Sequence, residues 1–290
     1  MTAVTVVVNP AAGGGRALAA LPGVIDALRA GGADLTVVRS ASLGHAVDAA
    51  AAAAGSGAVV AALGGDGLVG ALAGAVAAHD GRLAVLPGGR GNDFARGLGV
   101  PRDPRAAARA LPGWRERRVD LGDAGGRAFV GIASVGFDGD VSRLANEAAI
   151  VRGRLVYPYA LLRVLATWEP AAFHVTIDGT AYDYTGYMVS VANSQWYGGG
   201  MRCAPRADLA DGRFDVIMTH HIAKARFLMA APKVLWGGHV DERTVHERRG
   251  GEVHVAADRP FTVHADGEPL CPLPATLTVR RQALRVLAPR

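Results

Sequence analysis

Asp66 stands between glycines in GGDGLVG (64–70), Asp93 follows Asn92 in PGGRGNDFAR (87–96), and Asp266 and Glu268 flank Gly267 in VHADGEP (263–269). Each stretch sets carboxylates where the backbone bends freely, since glycine tolerates positive φ and lets a ligand approach the main chain. A further glycine turn, NPAAGGGRA (9–17), carries no acid; its amides and the helix N-terminus that follows suit an anion. An Asp between glycines repels a bare phosphate, so Asp66 implies a divalent cation bridging acid and phosphate, the arrangement that phosphoryl transfer requires. Of the pair around Gly267, one carboxylate can accept a hydroxyl proton while its neighbour anchors a network. The competing readings are ordinary ones: acid–glycine pairs make hairpin turns, and glycine-rich strand-to-helix turns also serve packing alone.

The elements that must position these residues follow from hydrophobic patterning. β-branched runs at 4–9, 34–40, 58–65 and 82–89 alternate with Ala/Leu-rich segments at 15–32, 44–57 and 67–80. Strand and helix alternating in this way predict a doubly wound α/β domain, its parallel sheet covered on both faces. Ligands of such sheets bind beyond the carboxyl ends of the strands, where the turns at 9–17, 64–70 and 87–96 fall. From Val119 onward strands dominate, and helical periodicity survives mainly in 140–168 and 223–239. The expected division is 1–118 for the nucleotide-binding part and 119–290 for a β-rich part, with the extreme C-terminus a candidate to return to the first. GxxxxGK[ST] is absent, which disfavours the P-loop class, and no GxGxxG follows the first strand, which leaves hydride transfer little support.

The 290 residues are half hydrophobic, enough for a substantial core, and carry a formal charge of +5. That charge favours anionic partners, but it is spread along the chain, and Arg-rich stretches such as 113–120 and 246–251 are short enough to be solvated faces. No nucleic-acid partner is expected. Cys203 and Cys271 lie far apart without zinc spacing, which fits a reducing, cytoplasmic setting. No apolar run reaches the roughly 18 residues that span a bilayer, so membrane contact is expected to be peripheral, at the inner face.

NPAAGGG, GGDG, PGGRGNDFAR, GFDG and HADGEP, in this order and at about this spacing, resemble the motifs of bacterial lipid kinases with a diacylglycerol kinase catalytic domain, relatives of sphingosine and ceramide kinases. GGDG alone is shared with NAD kinases and phosphofructokinases; GNDFAR and the terminal DGE are more specific. The resemblance implies a Rossmann-like N-terminal domain of the NAD kinase/phosphofructokinase type, a β-sandwich-like C-terminal domain, and ATP with Mg2+ between them. By motif position, Asn9, Pro10, Gly13, Gly14 and Gly15 contact phosphates, and Ser40 takes the place of a nucleotide-contacting Thr. Gly64, Gly65 and Gly67 line the triphosphate, with Asp66 near the catalytic magnesium. Gly88, Arg90, Asn92 and Asp93 shape the cleft. Asp266 is the implied general base, and Glu268 joins a supporting acid network with Asp120 and Asp211. A structural magnesium is expected at DLADGR, held by Asp208, Asp211 and the Arg213 carbonyl.

The implied activity is ATP-dependent phosphorylation of diacylglycerol or a related lipid, for example to phosphatidic acid. An NAD kinase-like or other soluble-substrate kinase, and a nucleotide-binding regulator with impaired catalysis, are the alternatives. The second draws on departures from the family pattern: Leu68 where Thr is common, Gly70 and Ala71 where an Asn-Glu pair is common, and Arg90 where Thr is frequent. Segments 151–168 and 221–238 combine Arg/Lys with Leu, Trp and Tyr, as interfacial segments do, although core packing also explains most of their apolar residues. Family members tend towards homodimers.

Overall fold

The computed structural model describes residues 2–147 and 156–290. Its first part runs β1 (Ala3–Val8), α1 (Arg16–Ala30), β2 (Asp34–Arg39), α2 (Leu43–Gly55), β3 (Val59–Gly64), α3 (Asp66–Ala78) and β4 (Arg82–Pro87). The four strands are parallel in the order β4-β3-β1-β2, with Val6 opposite both Val37 and Ala61. The chain reverses direction across the sheet after β2, which sends α1 and α2 to opposite faces under right-handed crossovers. All six residues of β3 are buried, as a strand covered on both faces must be. The short α4 (Asp93–Gly97) follows the turn after β4, and α5 (Pro104–Ala110) packs beside α1.

The second part is largely antiparallel: β5 (Arg115–Ala124), β6 (Arg127–Phe129), β7 (Ile132–Gly136), α6 (Phe137–Glu147), α7 (Val156–Thr167), β8 (Ala171–Ile177), β9 (Thr180–Ala192), β10 (Phe214–His220), α8 (Lys224–Ala230), β11 (Val245–Gly250), β12 (Glu252–Ala257), β13 (Thr262–Ala265), β14 (Glu268–Pro272) and β15 (Ala275–Ala288). Its strands bury a second core in which Phe129 stacks on Phe214 with centroids 5.8 Å apart. The helical stretch expected at 140–168 contains α6 and α7, with 148–155 outside the described residues. At 223–239 the helix is short: α8 passes into a 3-10 turn, Ala231–Leu235, with Pro232 at its start.

β15 joins the two parts. Its first half pairs antiparallel with β12, β5 pairs antiparallel along both halves, and Arg285–Leu287 pair in parallel with Arg82–Ala84 of β4. The extreme C-terminus thus lies in the sheet of the first part, and residue 118 falls inside β5 rather than in a linker. Among the described residues no helix is long and apolar enough to cross a membrane.

Candidate active site

The three N-terminal turns meet at the carboxyl ends of β1, β3 and β4. Gly13, Gly14 and Gly15 take φ of 63°, 71° and 90° in succession, a run that side chains rarely adopt. The Asn9 carboxamide shapes this turn, its Oδ1 accepting the Ala11 amide at 3.0 Å, with Pro10 between them. Gly13 is pressed against the third turn, because a Cβ there would stand 2.5 Å from the Gly88 carbonyl. Arg16 fastens the two, donating to Gly13 O at 3.0 Å and to Gly89 O at 2.9 Å. Ser40 lies at the end of β2, its hydroxyl donating to Val8 O.

β3 ends on Gly64, whose carbonyl accepts the Gly88 amide at 2.8 Å. Gly65 caps α3, with the Gly89 Cα close by, so neither turn has room for a side chain. Leu68 is buried, its Cδ2 against Gly64; it fills core space rather than facing the cleft. In the third turn Asn92 adopts φ 55° and closes on Gly89, accepting its amide at 2.8 Å and donating to its carbonyl at 3.0 Å. Asn92 is therefore a turn-former, and Arg90 beside it is exposed.

Three carboxylates converge on this frame. Asp66 Oδ1 accepts the Phe94 amide at 3.1 Å, at the start of α4. Asp93 is buried and its Oδ2 accepts the Gly199 amide at 2.7 Å, while Oδ1 has no hydrogen-bond partner and faces Arg96 Nε at 3.6 Å. A Cβ on Gly91 would stand 2.8 Å from Asp66 Oδ2 and 3.1 Å from Asp93 Oδ2, so the two acids share the space beside that glycine. From the other part of the chain comes Asp266, on the turn between β13 and β14 with φ 54°. Its oxygens accept the Val130 and Gly131 amides at 2.8 and 2.9 Å. Oδ2 also lies where a Cβ on Gly70 would be 2.5 Å away, so the missing side chain in α3 makes room for this carboxylate. Glu268 lies against Gly67, its Oε1 3.3 Å from the position of a Cβ there.

Burial raises the pKa of Asp66, opposed by the Phe94 amide. Asp93 is raised by burial and further by the charge of Asp66. Asp266 is pushed up to about 7, first by burial and then by the charges of Asp66 and Asp93 against the two amides. A carboxyl that titrates near neutrality and is anchored by two backbone donors has the properties of a general base.

The expected acid network resolves into two groups. Asp120 is fully buried, and its two oxygens accept the amides of Gly212 and Gln282, each at 2.6 Å. It thereby locks the DLADGR loop to β15. Asp208 is exposed and accepts the Ala210 amide; Asp211 accepts the Arg213 amide and pairs with Arg249.

Asp215, which the sequence reading passed over, stands behind this loop on β10. It is fully buried and neither oxygen has a hydrogen-bond partner, although Arg249 Nε lies 3.5 Å from Oδ1. Burial raises its pKa, with Arg249 opposing and Asp211 and Asp208 reinforcing. An acid inside the apolar first part of a strand, FDVIM, was the available signal.

Among the described residues no three His, Cys, Asp or Glu side chains converge as a ready cation cage. Magnesium keeps several waters and takes carbonyl oxygens, so the orphaned Asp215 carboxylate beside Asp208 and Asp211 fits such an ion.

Two further features went unread. Gly198, Gly199 and Gly200 have φ of 60°, 87° and 117°, a second glycine loop that brings the Gly199 amide to Asp93. Buried Asn193 donates to the carbonyls of Asp120 and Val130, joining the neighbourhoods of the two acid groups.

Residues 3–124 match the diacylglycerol kinase catalytic domain, and residues 131–288 match the YegS C-terminal NAD kinase beta sandwich-like domain. A diacylglycerol kinase of Mycobacterium tuberculosis is 36% identical over 99% of this chain and 95% of its own. A diacylglycerol kinase of Bacillus subtilis is 28% identical, covering 80% and 78% of the two chains. In structure, a diacylglycerol kinase from Bacillus anthracis str. Sterne superposes with a TM-score of 0.76 at 21% identity, covering 98% of this chain and 96% of that one; at that identity the likeness concerns the fold. Two domain matches in tandem and a full-length relative above 30% identity converge on one statement: the chain belongs to the lipid kinase family built on the diacylglycerol kinase catalytic domain.

Proposed function

We propose that this chain transfers the γ-phosphate of ATP to the hydroxyl of diacylglycerol or a closely related lipid alcohol, with phosphatidic acid as the product in the first case. Kinase membership implies ATP use, and the relatives named diacylglycerol kinase support the acceptor. The observation that carries the reading is Asp266, held by the Val130 and Gly131 amides against α3 and within the field of Asp66 and Asp93.

In this reading the lipid hydroxyl oxygen attacks the γ-phosphorus while its proton passes to the Asp266 carboxylate. The bond to the bridging oxygen breaks and ADP leaves. The glycine turns at 13–15 and 64–67 present backbone to the phosphates, and Arg16 and Asn92 keep those turns together. Asp93, anchored by Gly199, closes the acceptor side. Asp66 is the residue suited to hold magnesium, which would supply neutralisation of the charge on the phosphates; the mutual repulsion of the three acids fits a cation there. Asp208, Asp211 and Asp215 suit the second, structural ion.

Transfer of label from γ-labelled ATP to diacylglycerol, sphingosine, other lipid alcohols and NAD tests the acceptor, and label appearing only on NAD would refute the reading. The same assay reads the base. Asp266 works deprotonated and its pKa is raised to about 7, so kcat/KM should fall about tenfold per pH unit below that value and level off above it. A profile flat down to the ordinary carboxylate range would remove Asp266 from the role.

The structural ion has its own readout. Magnesium at about a hundredfold excess over its Kd should raise Tm by about 5 °C. Asp215→Asn should abolish most of that response while leaving the metal-free protein at least as stable, because it removes a buried charge without a hydrogen-bond partner. A Tm that ignores magnesium, or a response kept in the variant, counts against this site.

A further inference from the structure

Eight large apolar side chains are exposed among the described residues, and six of them fall on two neighbouring segments: Tyr159 and Leu162 on α7, and Leu228, Met229, Leu235 and Trp236 on α8 and the turn after it. The two segments meet at the start of α8. Lys224 Nζ at the start of α8 donates to the Ala166 carbonyl near the end of α7 at 2.9 Å. Their inner faces share one core, where Phe227 meets Phe137 edge-on at 5.1 Å and stacks on Tyr187 at 4.3 Å, with Ala160 and Leu165 in the same cluster. The outward residues are therefore not needed for that core.

Beside this surface a cleft of about 410 Å³ opens between α6 and α7, within the usual range for a small-ligand site. Arg143, Arg163 and Arg259 line it with Asp140 and Glu169, three guanidinium groups against two carboxylates. Arg143 pairs with Asp140 at 3.4 Å. Arg259 donates to the Glu169 carbonyl at 2.6 Å and lies 4.8 Å over the Trp168 ring. Trp168, also lining the cleft, is 5% exposed and its indole N–H has no hydrogen-bond partner. Arg163 has no hydrogen bond or ion pair among the described residues. It follows Leu162, 55% exposed, along α7, so a cation at the mouth of the cleft adjoins the apolar surface. Lys224 and Arg226 add positive charge around α8, while Lys233 is paired with Glu242.

We propose that the α6–α7 cleft receives the phosphate of an anionic phospholipid, with Arg163 as its principal contact, and that the apolar α7/α8 surface lies in the bilayer interface beside it. The occupant follows from charge complementarity: guanidinium groups select phosphate, while Trp, Tyr and Leu flanked by Arg and Lys match the level of headgroups and upper acyl chains. The inference rests on the reading that the acceptor is a lipid, and it adds a second lipid contact distinct from the acceptor site at Asp266.

Vesicle sedimentation without nucleotide tests it, comparing phosphatidylcholine alone with phosphatidylcholine containing one third phosphatidylglycerol. The wild type should prefer the anionic vesicles, and Arg163→Glu should lose about tenfold of that binding, with Arg163→Gln intermediate. Leu162→Asn combined with Trp236→Asn should weaken binding to both vesicle types. These positions are exposed, and unchanged circular dichroism and melting would confirm that the variants fold. Equal wild-type binding to both vesicles, or an anionic preference that survives Arg163→Glu, would overturn the cleft. So would an Arg163-dependent change in oligomeric state without vesicle binding, which would make the surface a protein interface. Turnover of a short-chain diacylglycerol below its aggregation concentration reads the active site separately: wild-type failure there sinks the proposed acceptor without touching the vesicle result.

Discussion

Asp266→Asn is expected to lower phosphoryl transfer to diacylglycerol by about 10² to 10⁴-fold, the usual range for removing a general base, while the protein remains folded. Asn keeps the size of the side chain and one acceptor oxygen, so one of the two hydrogen bonds from the Val130 and Gly131 amides survives. What disappears is the site that takes the proton. Nucleotide binding, measured by titration calorimetry, should change little, because in the proposed reaction Asp266 acts on the acceptor hydroxyl. Turnover within threefold of wild type would show that the hydroxyl loses its proton elsewhere, and Asp93 would be the next group to test.

The variant also separates activity from stability. Folding raises the Asp266 pKa from 3.8 to about 7, so the native state holds this proton more tightly than the unfolded chain does. The resulting stabilisation is fully present below the unfolded value and is lost as pH rises through about 7. Activity runs the opposite way over the same window, since the base must be charged to work. The fold therefore holds Asp266 in a state that its chemistry opposes, and cations near Asp66 and Asp93 would relieve the conflict by offsetting their charges.

Legibility in the sequence tracked how local each feature is. The α/β alternation and the glycine turns after β1, β3 and β4 were readable, because strand, turn and helix are adjacent in the chain and positive φ leaves glycine as its mark. Asp266 was readable for a similar reason: it occupies a turn whose DGE pattern is compact. Contacts between distant segments were not. Nothing near Arg16 announces that it reaches Gly89, 73 residues away, and Gly198–Gly200 read as one more loop until the Gly199 amide is seen on Asp93. Departures from the family pattern were visible, but what packs around them was not. Leu68, where Thr is common, is buried against Gly64. Gly70 looked like a lost polar residue, whereas its empty side is occupied by the Asp266 carboxylate.

That last relation yields a severe test that changes no functional group. A Cβ on Gly70 would stand 2.5 Å from Asp266 Oδ2 and 3.3 Å from its Cγ, and heavy atoms do not sit that close without displacement. Gly70 is inside α3 with no positive φ, so Gly70→Ala meets no backbone strain and should gain in helix propensity by roughly 1 kcal/mol. The methyl group must instead push the Asp266 carboxylate away, against amides that bind both of its oxygens. A shift on the order of 1 Å at a reacting group costs about 10²-fold in rate. Gly70→Ala should therefore lose about 10²-fold in kcat with nucleotide affinity nearly unchanged, and Gly70→Asn, which places the common family residue there, should lose at least as much. Gly113→Ala, at a site with nothing within 4 Å of the added carbon, is the control and should leave kcat unaltered. If Gly70→Ala retains full turnover, Asp266 either moves without consequence or does not act from the position it holds here, and the assignment of the base fails with it.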